Sequence, residues 1–151
     1  MAVIQERDRA TITQLFEENL VNPVQMVYFT LPKPLIFVPG RATCETCDDV
    51  QGLLEEISSL SDKLSLGVHN IEQEKDLAQA HGVSRVPALV LEGHDGGSVR
   101  YFGAPAGYEF STLIQDIQSV SKSEGTLATE TREALAAIPD PIHIQVFVTP
   151  T

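Results

Sequence analysis

Phe37-Val38-Pro39-Gly40-Arg41-Ala42-Thr43-Cys44-Glu45-Thr46-Cys47-Asp48-Asp49-Val50 decides how the rest of the chain is read. An apolar run ends at Val38, a short loop follows, and the chain's only two cysteines then stand three residues apart. From Asp48 to Ser59, Val50, Leu53, Leu54 and Ile57 keep helical spacing, so the pair opens a predicted helix. Two cysteines at this separation can close a small disulfide. At the first turn of a helix the leading sulfur lies near unpaired backbone N–H groups and the positive end of the dipole. That setting favours the thiolate, the attacking species in disulfide exchange.

Two plainer readings compete. The pair could be half of a structural zinc site, which needs four ligands. His69, His81, His94 and His143 are scattered without ligand spacing, so no metal is expected. The pair could also be two incidental core thiols, against which the charged neighbours Glu45, Asp48 and Asp49 argue.

The chain has 151 residues, 42% of them hydrophobic, enough for a globular domain with a real core. Its formal net charge of -11 repels phosphate backbones and anionic lipid, so neither nucleic acid nor a membrane surface is an expected partner. No apolar stretch approaches the ~20 residues of a membrane helix. Met1 to Asp8 lacks the apolar core of a signal peptide, so a cytoplasmic protein is expected. There a cysteine pair is more often catalytic than structural.

In chain order, Asp8 to Leu20 reads as an amphipathic helix through Ile12, Leu15, Phe16 and Leu20. Val24 to Leu31 is rich in strand formers, Pro32-Lys33-Pro34 interrupts, and Leu35 to Val38 is a second apolar run. Either run is the strand that feeds the cysteine loop, and the sequence does not decide which. Leu64, Leu66 and Val68 alternate as a strand. Glu72 to His81 is a short polar helix with its stop at Gly82. Pro87 opens a strand through Leu91, and Glu92 to Gly97 turns it into the return strand Val99 to Phe102. Helices are expected at Glu109 to Val120 and Thr126 to Ile138. Ile142 to Val148 reads as a final strand. The stretch from Asp140 echoes the Asn22-Pro23 stretch in its helix–proline–strand pattern.

Cys44-x-x-Cys47, followed some forty residues later by Arg85-Val86-Pro87-Ala88, resembles the thioredoxin/glutaredoxin superfamily. Val99 to Phe110, with its Phe102-Gly103-Ala104-Pro105-Ala106-Gly107 core, and the closing Ile144 to Thr151 are similar to the N-terminal half of glutaredoxin-like protein disulfide oxidoreductases. Those proteins carry two thioredoxin-like units. The N-terminal domain of the alkyl hydroperoxide reductase flavoprotein resembles the same stretch. The Glu45-Thr46 dipeptide departs from the proline-containing dipeptides of thioredoxin and glutaredoxin.

The resemblance implies an α/β thioredoxin-like fold, a central mixed sheet flanked by helices. Residues 1–139 would form the domain, and 140–151 a strand like the start of a second unit. It implies a thiol–disulfide oxidoreductase acting on protein disulfides and dithiols, with no cofactor beyond a redox-active Cys44–Cys47 disulfide. Cys44 would attack and Cys47 resolve. Pro87 would be cis, leaving the backbone of Val86 to pair with substrate. Arg41 would lower the Cys44 pKa and Glu45 oppose it. Two other classes stay open: an electron relay between a flavoprotein reductase and a peroxidase, and a docking module for a second redox unit. A homodimer through the C-terminal strand is a further expectation.

Overall fold

The computed structural model describes residues 4–33, 43–123 and 127–147. The Leu35 to Val38 run and Arg41 lie outside the described residues. Helix α1 (Glu6–Asn19) comes first, then strand β1 (Val24–Thr30). After the cysteine loop come α2 (Cys47–Ser58), β2 (Leu64–Asn70), α3 (Lys75–Ala80), β3 (Ala88–Gly93), β4 (Ser98–Phe102), α4 (Tyr108–Lys122) and α5 (Thr129–Ala136). The strands form one sheet in the order β2-β1-β3-β4. β1 runs parallel to β2 and antiparallel to β3, and β3 is antiparallel to β4, so the sheet is mixed.

β1 is buried at six of its seven positions, all but Gln25, because helices cover both faces of the sheet. An interior strand of that kind reads as a near-continuous apolar run, which is how Val24 to Thr30 looks in the sequence. On one face Val24, Met26 and Tyr28 pack with Leu89 and Leu91 against α1, α2 and α4. On the other, Val27 and Phe29 pack with Ala88 and Val90 against Ala78 and Val83, at and just after α3. Gly82 ends α3 with a φ of 66°, the left-handed region that a glycine enters without steric cost.

The end of α4 is tied to the turn before β1 by one buried hydroxyl. Ser121 Oγ donates to the Asn22 carbonyl at 2.6 Å. It accepts from the Val21 and Asn22 amides at 2.9 and 3.0 Å. This fixes where β1 starts, and so where it delivers the chain at the cysteine end.

The C-terminal segment departs from expectation. α5 forms but buries no residue. Residues 141–147 carry no strand, and Ile142, Ile144, Val146 and Phe147 are exposed. The reason is missing partners. β1, whose pattern this segment repeats, holds its conformation by pairing on both edges and packing on both faces, and a lone strand has neither.

Candidate active site

Tyr28, near the end of β1, begins the site. Its ring is fully buried, and a buried phenol needs a hydrogen-bond partner. The hydroxyl donates to the Cys47 carbonyl at 2.8 Å, joining the central strand to the first residue of α2. Burial pushes the Tyr28 pKa up to about 12, against a smaller opposite pull from Thr30.

Cys44 and Cys47 are joined in a disulfide with Cα atoms 5.5 Å apart. Helix α2 begins at Cys47 with Thr46 as its cap, so Cys44 precedes the first turn instead of lying in it. The bond to Cys47 nevertheless brings the Cys44 sulfur to the helix N-terminus. The pair is more buried than its charged neighbours suggest: Cys44 is 8% exposed and Cys47 fully enclosed. Cys47, Val50 and Leu54 share the inward face of α2, whereas Glu45, Asp48 and Asp49 are exposed. Leu31, Ile71 and Val86 close around the sulfurs.

The Val86–Pro87 bond is cis. The Pro87 carbonyl accepts from the Gly103 amide at 2.9 Å, which anchors the loop after β4 to the proline. Among the described residues, the N–H and C=O of Val86 make no hydrogen bond. Val86 thus presents an unpaired backbone edge beside the disulfide.

Charge near the pair is mixed. Lys33 Nζ lies 3.8 Å from Asp48 Oδ2, with both side chains largely exposed. Glu45 has no described partner to hold it. Arg41 falls outside the described residues. His81 is largely turned inward. Its ring lies tilted against Phe29 with centroids 5.6 Å apart, Nδ1 2.8 Å from the Leu77 carbonyl and Nε2 3.1 Å from Glu92 Oε1. His69 also lies against Phe29 and pairs with Glu74 at 2.7 Å, which holds the Glu74 carboxyl below its usual range. No group of three His, Cys, Asp or Glu side chains among the described residues could hold a metal ion.

The sequence model of the thioredoxin domain matches residues 36–115, more than half of the chain. The chain belongs to the thioredoxin-domain family. Among solved structures, a protein disulfide oxidoreductase from Aeropyrum pernix k1 is similar at 30% identity and a TM-score of 0.73. That match covers 88% of this chain and 54% of the other. The NTD_N/C domain of alkylhydroperoxide reductase AhpF from Enterococcus faecalis matches at 22% identity and a TM-score of 0.73, covering 90% of this chain and 61% of that one. The chain therefore spans between half and two thirds of these thioredoxin-like proteins. The comparison with curated proteins finds no relative. A thioredoxin fold with a Cys-x-x-Cys disulfide at the start of a helix is an oxidoreductase site.

Sequence reading missed four participants: Tyr28, Leu31, Lys33 and Ile71. The signal for Tyr28 was present, since a tyrosine in a run destined for two-sided burial must place its hydroxyl on something. Nothing in the sequence pairs Lys33 with Asp48, fifteen residues on.

Proposed function

We propose that this chain is a protein disulfide oxidoreductase that exchanges its Cys44–Cys47 disulfide with protein disulfides and dithiols. The observation that carries the reading is the bonded pair beside the unpaired backbone of Val86. In the reducing direction the Cys44 thiolate attacks a substrate disulfide. One sulfur of the substrate leaves as a thiolate, and a mixed disulfide joins the other to Cys44. The Cys47 thiolate then attacks the Cys44 sulfur, releases the second substrate thiolate and closes the disulfide, so two electrons pass to the substrate. The greater exposure of Cys44 supports its role as the attacking residue. The substrate strand lies along Val86, and Pro87, with no N–H, leaves that edge open. Arg41 favours the Cys44 thiolate and Glu45 opposes it. The Cys44/Cys47 dithiol carries the two electrons and its disulfide accepts them, so the exchange itself needs no bound cofactor. The setting is the cytoplasm, where such pairs cycle.

A second reading is an electron relay between a flavoprotein reductase and a peroxidase. The structural likeness to the alkylhydroperoxide reductase domain favours it. Residues 1–139 then serve as one redox domain, and 140–151 as the first strand of a second unit. Pairing of the 140–151 segment with its counterpart in a second copy makes a homodimer.

Insulin reduction by dithiothreitol tests the first reading. The wild type accelerates it and Cys44→Ser does not. Turnover supported by a flavoprotein reductase and a peroxidase, with none on insulin, selects the relay. Equal turnover by wild type and Cys44→Ser overturns both.

A further inference from the structure

The chain carries 21 acidic against 10 basic residues, and several of the cations are engaged. Arg9 lies 3.9 Å from Glu56, Lys33 pairs with Asp48, and Arg100 donates to the His81 carbonyl. Arg85 differs. Among the described residues it has no ion pair or hydrogen bond. Its guanidinium carbon instead lies 4.9 Å from the centre of the Phe102 ring.

The position of this pair is fixed relative to the disulfide. Arg85 immediately precedes Val86, which packs on Cys44 and Cys47. Phe102 is the last residue of β4, opposite Ala88, and the next residue, Gly103, donates to the Pro87 carbonyl. The guanidinium therefore stands on the rim of the exchange site, not at an arbitrary point of the surface. An arginine free in solution gives up side-chain entropy when it is ordered. Resting on an aromatic face restricts it beforehand and leaves its N–H edges open to a bidentate acceptor. The acceptor with matching geometry and charge is a carboxylate.

We propose that Arg85, held on Phe102, selects substrate polypeptides that carry an Asp or Glu within about two residues of the reactive cysteine. The inference rests on Cys44–Cys47 being the exchange site. A strand laid along Val86 advances about 3.3 Å per residue, so a carboxylate one or two residues from the attacked cysteine comes within reach of Arg85. Elsewhere the net charge of -11 repels such a segment, and this cation offsets the repulsion where the sulfurs meet. Arg85 takes no part in bond making. It is a specificity residue, and its effect falls on the capture of substrate.

The test uses the full chain and three disulfide-linked peptide dimers of equal length. Their cysteine is flanked by Glu, by Gln or by Lys, and reduction is followed by chromatography. Arg85→Ala lowers kcat/KM for the Glu peptide about three- to fivefold, the range of an exposed ion pair, and leaves the Gln peptide within about twofold. The loss falls on KM. Arg85→Glu reverses the ranking of the Glu and Lys peptides, and Arg85→Lys restores part of the preference. About 0.5 M salt removes the difference between the peptides. Equal loss on the Glu and Gln peptides, or no loss on either, overturns the assignment of Arg85 while the exchange reaction stands. Failure of the wild type to reduce any of the three overturns the exchange site itself, and this inference with it.

Discussion

Replacing Tyr28 with phenylalanine isolates the bond that ties the central strand to the active-site helix. The ring stays and only the hydroxyl, 2.8 Å from the Cys47 carbonyl, is removed. That carbonyl also faces the helical N–H four residues on, so it is not orphaned. The loss is therefore that of one net buried hydrogen bond, about 1 kcal/mol, not the larger penalty of an unsatisfied acceptor. At about 2.1 cal/mol/K per residue, the 151 residues have an unfolding entropy of about 0.3 kcal/mol/K, and Tm falls by about 3 °C. A second readout follows from the raised pKa. Burial holds Tyr28 protonated up to about 12, against about 10 for an unfolded tyrosine. Between those two values the unfolded chain releases a proton that the native one keeps, so stability present below pH 10 is lost as pH rises toward 12. Tyr28→Phe removes that part of the alkaline slope. Thermal unfolding at pH 7 and urea unfolding from pH 7 to 11.5 measure the two effects. An unchanged Tm together with an unchanged alkaline slope would refute the claim that this hydroxyl holds the helix start.

Ser121→Ala leaves the Val21 amide and the Asn22 carbonyl without their partner, whereas the Asn22 amide keeps the Ser121 carbonyl at 3.2 Å. Urea unfolding should show a loss of about 2 kcal/mol, and a loss under about 0.5 kcal/mol would mean that water replaces the hydroxyl. Among the described residues, those after Pro139 are exposed within one chain, so at concentrations where the protein is monomeric truncation there should change Tm by less than about 1 °C. The same truncation should convert a dimer to a monomer in size-exclusion chromatography with light scattering. A full chain that is already monomeric contradicts the strand-paired dimer.

The fold and the disulfide were legible because residue type and spacing carry them. Cys44, Cys47 and the Val86–Pro87 step stand at separations that few other arrangements share. The inward turn of Cys47 was also readable, since Cys47, Val50 and Leu54 repeat at helical intervals, although the acidic neighbours pointed the other way. Long-range partners were not legible. Tyr28 meets a carbonyl nineteen residues on, and His81 is turned inward by Phe29 and Glu92, neighbours that only the sheet register brings together. Ile142 to Val148 shows the converse limit. Its alternation is that of a strand, but a strand also requires an adjacent edge, which a sequence pattern cannot supply.

Trapping the reaction half-way tests the exchange mechanism most directly. Reduced Cys47→Ser, mixed with insulin and then acid-quenched, should carry a mixed disulfide that peptide mass spectrometry places on Cys44. Reduced Cys44→Ser should carry none. An adduct on Cys47 in Cys44→Ser, with Cys44 unmodified in Cys47→Ser, would contradict the assignment of attack to the more exposed sulfur.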